Sequence, residues 1–143
     1  MMSMKCKYAI KALIQLGMHY DEGSDVLTSA ISKEENIPKK FLEQILLELK
    51  HAGFVGSKQG YGGGYYLKTK PKDISVADVY RLFDGAIALV PCVSLNFYEK
   101  CDDCKSEKTC LMREEFMKIR EGARLIMSKT TIQSFLNQGN KKG

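Results

Sequence analysis

The sequence predicts a mainly α-helical chain with a small β-wing, organised as a winged helix-turn-helix domain followed by a long C-terminal dimerisation helix. Three stretches carry that expectation. Residues 28–53 read as a short helix, a three-residue turn Asn36-Ile37-Pro38 and a longer helix that Gly53 ends. Residues 55–69 read as a two-stranded ribbon around Gly60-Tyr61-Gly62-Gly63-Gly64. Residues 111–127 repeat apolar side chains at helical spacing.

A chain of 143 residues with 44% hydrophobic and 27% charged side chains is long enough for one core with an appendage. The expected division is residues 1–85 for DNA binding, 86–110 for a cysteine-bearing linker and 111–143 for the dimerisation helix and tail. No apolar run reaches the roughly 18–20 residues of a membrane span, so a soluble, cytoplasmic protein is expected. The net charge of +5 is uneven, with +4 in residues 1–72 and +1 in residues 73–143. That excess points toward a polyanion, although a modest surplus also suits an ordinary surface.

In chain order, Lys5 to Tyr20 is apolar except for Lys5, Lys7, Lys11, Gln15 and His19, the last three forming one stripe. Such a helix needs cover on more than one side, from elsewhere in the chain or a second subunit, with His19 facing solvent. Val26-Leu27 reads as a short strand, and Thr28 as the N-cap of a helix Ser29–Glu35 that turns Ala30 and Ile31 inward. Asn36 tolerates a left-handed cap and Pro38 suits a first helical turn. In the next helix Leu42, Ile45, Leu46 and Leu49 share one face, leaving Lys39, Lys40, Glu43, Gln44, Leu47 and Lys50 elsewhere. Gly53 ends it, and the ribbon follows. Four glycines at the ribbon tip are costly in chain entropy, so they serve positive φ angles or close approach. The stretch lacks the Gly-x-x-x-x-Gly-Lys-Ser/Thr of a nucleotide-binding loop.

Pro71 to Gly85 reads as a structural helix, with Ser75 and Asp78 as capping pair, an Ile74–Val79 staple, and Val76, Val79, Tyr80 and Phe83 inward. Cys92, Cys101, Cys104 and Cys110 then arrive as C-x8-C-x2-C-x5-C among residues too polar for a core. A bound metal would order such a loop. On spacing alone Cys-x2-Cys suggests zinc first, and iron–sulfur ligation or redox-switching thiols stay open beside it. Met112, Phe116, Ile119, Ala123 and Ile126 share one helical face; Ser128 restarts a helix burying Ile132, Phe135 and Leu136 before a polar tail from Gly139.

LEQILLELKHAGFVGSKQGYGGGYYL, with KYAIKAL near the start and DGAIALVPC further on, resembles the bacterial winged-helix transcriptional regulators of the IscR/NsrR/CymR type, the Rrf family. The likeness runs from about Met4 to about Leu136. It implies a homodimer on palindromic operator DNA, with the recognition helix in the major groove and the wing in the minor groove. It also implies, in many members, an iron–sulfur cluster held by three cysteines, here Cys92, Cys104 and Cys110. Cys101 is then a fourth ligand or a competitor of Cys104. Gln59 stands where the family often has Arg. Eleven residues separate Cys92 from Cys104 where the family usually has five.

The residues make a physical case of their own for reading DNA. Lys39 and Lys40 can reach phosphates or guanine, Gln44 can bond adenine with both amide groups, and Glu43 can accept from cytosine N4. Phe41 touches a thymine methyl or packs. Lys58, Gln59, Tyr61, Gly62 and Gly63 lie at the wing, and Thr28 and Ser29 at the start of the first helix of the pair complete the set. Two other readings compete. Cys101-Asp102-Asp103-Cys104 would serve a thiol–disulfide oxidoreductase only at a helix start in a strand–helix–strand unit, which is not apparent. A protein-interaction module with structural zinc would bind no DNA in a salt-dependent way.

Overall fold

The computed structural model describes residues 1–60 and 64–142. Its central element is α1 (Met4–Met18), which Ser3 begins by accepting the Cys6 N–H at 3.1 Å. Cys6, Ala9, Ala12, Leu13 and Leu16 are fully buried along it, and α2 (Thr28–Glu35), α3 (Lys39–His51), β2 (Tyr65–Leu67), α4 (Val76–Phe83) and α6 (Ile132–Lys142) all pack on it. Its polar stripe is less open than expected. Gln15 donates to Glu35 Oε1 at 2.7 Å and Lys11 lies 3.8 Å from the same carboxylate, so the stripe anchors the end of α2.

α2 (Thr28–Glu35) and α3 (Lys39–His51) form the helix pair. Thr28 is the first helical residue rather than the cap, since Leu27 holds the cap position with no side-chain bond. Ala30 is exposed, and Ile31 alone anchors α2. Asn36 turns the chain at φ 53°, a conformation its short polar side chain tolerates. Leu42, Ile45, Leu46 and Leu49 are buried as their spacing requires. The far end closes by a Schellman arrangement: Gly53 N–H bonds Lys50 O and Phe54 N–H bonds Leu49 O, each at 3.0 Å, with Gly53 at φ 86°.

The wing is β1 (Val55–Ser57) antiparallel to β2 (Tyr65–Leu67), shorter than the sequence suggests, with Gly56 opposite Tyr66. Val26 adds an isolated bridge to Tyr65. A 3₁₀ turn (Pro71–Asp73) then leads into α4 (Val76–Phe83), which starts with the expected Ser75–Asp78 capping box. Ala77 is buried here beside Val79, while Val76 is only half-buried.

After a second 3₁₀ turn (Pro91–Val93), α5 runs from Arg113 to Lys129. Thr130 leaves the helical region at ψ 114°, and its backbone accepts the Val76 N–H at 2.8 Å, tying the break to α4's start. α6 (Ile132–Lys142) returns to α1, with Ile132 fully buried and Leu136 against Gly17. The expected polar tail from Gly139 is therefore helical through Lys142. The cover that α1 needs comes from within the chain. Among the described residues no helix is long and apolar enough to cross a membrane.

Candidate functional site: nucleic-acid interface and cysteine loop

A groove of about 440 Å³ opens where the start of α2, the polar face of α3 and the wing converge. Thr28, Ser29, Lys39, Glu43, Lys58 and Gln59 line it together. Lys40 and Gln44 are exposed on α3 outside the groove wall, in one stripe with the exposed Leu47 and His51. α3 thus shows an outward face and a face toward the wing. Phe41 is half-buried and edge-on to Tyr8, with ring centroids 5.7 Å apart, so it packs. Tyr61, Gly62 and Gly63 lie outside the described residues.

The wing's position has local causes. Tyr65 and Val26 exchange backbone hydrogen bonds of 2.8 and 2.9 Å. That approach leaves no space at Gly64, where an added Cβ would sit 2.3 Å from Val26 O. Gly60 takes φ 99°. Lys58 lies 3.7 Å from Asp25, whose carboxylate is nearly buried, while its own side chain stays 68% exposed and reachable by a phosphate.

Sequence reasoning missed six residues of the groove wall, Leu27, Lys50, Ser57, Gly60, Gly64 and Tyr65, of which Lys50 carries charge. Lys50 lines the groove and donates to Ser57 Oγ at 2.7 Å, bridging α3 to β1. The signal was present: Lys39, Glu43 and Lys50 stand at i, i+4 and i+11, one face of a helix.

The cysteine loop follows the turn at Pro91–Val93. Cys92 is buried, while Cys101, Cys104 and Cys110 are half-buried, and all are free thiols. The four line one cavity of about 280 Å³, with Arg113 and Glu107 at its wall. Among the described residues no three metal-binding side chains come close enough to hold a single ion. In type and number the donors suit a thiophilic group, since four soft sulfurs face one space. A hydrogen bond to Cys92 holds the Cys101 thiol above its ordinary pKa, with burial adding to the effect. Cys101 to Cys104 forms a turn, with Cys104 N–H bonding Cys101 O at 3.0 Å, and stands at no helix start. The geometry an oxidoreductase would need is missing.

Two arginines of α5 hold this loop by its backbone. Arg113 donates to Cys92 O at 3.4 Å and Arg120 to Val93 O at 2.8 Å. Glu107 accepts from Tyr98 and lies 3.9 Å from Arg113.

Comparison with known proteins agrees with this architecture. The model of the Rrf2 family, described as iron-dependent transcriptional regulators, matches residues 2–138. An rrf2-like HTH-type protein of Rhodobacter capsulatus is 37% identical over 142 residues, covering 98% of this chain and 95% of its own. The structure of CymR, described as the global cysteine regulator of B. subtilis, superposes with TM-score 0.78 at 27% identity, covering 96% of this chain and 97% of its own. IscR of T. potens does so with TM-score 0.74 at 25% identity, covering 96% and 86%. These relatives are regulators and not enzymes, so the oxidoreductase reading falls. With the helix pair, wing and C-terminal helices in the order these proteins share, the chain belongs to the Rrf2 family of transcriptional regulators.

Proposed function

We propose that this regulator binds palindromic operator DNA as a cytoplasmic homodimer and reads iron or redox state through an iron–sulfur cluster held by Cys92, Cys104 and Cys110, with Cys101 as fourth thiol. The observation that carries the sensing half is the single cavity onto which all four cysteines open. Donor type and number favour a cluster, since the four residues that meet at this cavity carry soft thiol ligands. The family description and the likeness to IscR support iron as the metal. When bound, such a group supplies a redox-sensitive and oxidant-labile crosslink of the loop.

DNA reading rests on the groove. Lys39, Lys50 and Lys58 bring positive charge to its walls, Glu43 and Gln59 offer base contacts, and Lys40 and Gln44 present the outer face of α3 to a major groove. The wing residues Tyr61, Gly62 and Gly63 belong to the same proposal.

Support for the dimer comes from α5, which has no buried residue in the single chain. Met112 at its N-cap and Phe116, Ile119, Ala123 and Ile126 along it recur at alternating four- and three-residue steps, the seam of a paired helix. A two-fold axis there spaces two α3 helices for successive major grooves. Arg113 and Arg120 then link loop to seam, so a change at the cysteines shifts the helix that sets that spacing.

The test is anaerobic purification with iron, followed by absorbance and analysis of iron, sulfide and zinc on one sample. Visible absorption with iron and sulfide in equal amounts is expected, lost in Cys92→Ala and Cys110→Ala. A colourless protein carrying one zinc would overturn the cluster. The shared position of Cys92 and Cys101 at one cavity favours one second reading, thiols that switch by forming a disulfide. That reading predicts loss of two hydrogens by mass under peroxide in metal-free protein, with DNA affinity changing in step.

A further inference from the structure

A narrow cleft lies between α4, the segment after Cys92 and the middle of α5, apart from both the DNA groove and the cysteine cavity. Arg81 of α4, Ser94 and Asn96 of the segment, and Arg120 and Arg124 of α5 line it. Its enclosed space, about 10 Å³, holds one water-sized group.

The charge balance in this cleft is unfinished. Three guanidiniums face it, and the one carboxylate they pair with among the described residues is Glu121. Glu121 is committed to Arg124 by hydrogen bonds of 2.5 and 3.1 Å and lies 3.6 Å from Arg120. Arg81 makes no ion pair among the described residues. Arg120 is drawn inward, its side chain 14% exposed, and its Nε is buried without an acceptor. A buried unpaired donor is costly, and like charges sharing a cleft repel unless an anion sits between them. Ser94, 7% exposed, accepts the Phe97 N–H at 2.9 Å and keeps its own O–H to donate.

We propose that this cleft is an oxyanion site, taking one phosphate or carboxylate group at the Arg81, Arg120 and Arg124 guanidiniums, with Ser94 and Asn96 as neutral donors. Planar guanidinium forks match the two oxygens of such a group, and a single oxyanion oxygen fills the enclosed space while the remainder sits in the mouth. An occupant joins three parts of the molecule: α4 of the DNA-binding unit, the chain just beyond Cys92, and α5. Occupancy therefore stiffens the junction between the cysteine loop and the DNA-binding domain, and the site stands whether or not the cysteines bind a cluster.

The experiment is thermal unfolding of the full-length protein titrated with inorganic phosphate, acetate or chloride at fixed ionic strength. ³¹P line broadening serves as a readout independent of stability. Phosphate or acetate should raise the midpoint saturably while chloride does not, and the stronger of the two identifies the group. Arg81→Gln, which breaks no ion pair among the described residues, should weaken that response about tenfold while the anion-free midpoint holds or rises, because one repelling charge is gone. Absence of a saturable response to both oxyanions would overturn the site. So would a response that survives in Arg81→Gln and disappears in the Lys39→Gln/Lys58→Gln double variant, because it would belong to the DNA groove.

Discussion

Gly64 has no room for a side chain, and the obstacle is backbone: a Cβ would lie 2.3 Å from Val26 O and 2.6 Å from Val26 C. Gly64→Ala should break the Val26–Tyr65 bridge and cost about 1–3 kcal/mol, read as a lowered denaturant midpoint. Wing placement should suffer with it. Cys6 gives a second expectation at this scale. Burial first, then the Asp84 carboxylate, pushes its thiol up to about 11 from 9.0. The folded state therefore holds the proton longer than the unfolded chain. Stability is unaffected by this group below pH 9 and falls as pH rises toward 11, a loss that Cys6→Ala should reduce in alkaline unfolding curves. In native protein Cys6 should alkylate last of the five cysteines, as mass spectrometry of partly labelled samples will reveal.

Among the elements, α4 shows local chemistry that is legible in the sequence. Ser75 accepts the Asp78 N–H at 3.1 Å and Asp78 accepts the Ser75 N–H at 3.4 Å, as the S-x-x-D pattern requires. Ser75→Ala should cost about 1 kcal/mol, and restoring Thr should recover most of it. α3 was readable for the same reason, because four aliphatic side chains at helical spacing admit one burial pattern. Thr28 misled because capping depends on backbone geometry that side-chain type only biases. Lys11 and Gln15 misled because their partner, Glu35, lies on another helix, and a stripe of polar residues looks alike whether it meets water or a carboxylate. The arginine-lined cleft was illegible in sequence, since Arg81, Ser94 and Arg120 are brought together only by the packing of α5 on α4.

For the whole molecule, the proposed dimer makes α5 the decisive surface. Ile119 and Ile126 are 49% and 70% exposed in the single chain, and both fall on the alternating four- and three-residue seam. Ile126→Glu should yield a monomer by light scattering with helix content intact, and operator affinity should fall steeply because two half-sites no longer bind as one. An unchanged dimer would move the two-fold axis elsewhere. The order of helix pair, wing and C-terminal helix was legible because each part has its own periodicity. The return of α6 onto α1 was not, because Ile132, Phe135 and Leu136 announce an apolar face without naming what covers it.

That return has a consequence for how the protein is made. Ile132 N–H bonds Ile74 O at 2.9 Å, and the side chains of Ile132 and Leu136 lie against Gly17 of the first helix. During synthesis α1 emerges with its outer face bare and stays so until α6, residues 132–142, has followed it out of the ribosome. The core around α1 therefore closes only when α6 arrives, by contacts of long sequence separation. A chain cut short before Thr130 would carry a complete helix pair and wing yet expose the apolar side of α1, and should partition to chaperones or aggregates rather than act as a free DNA-binding fragment.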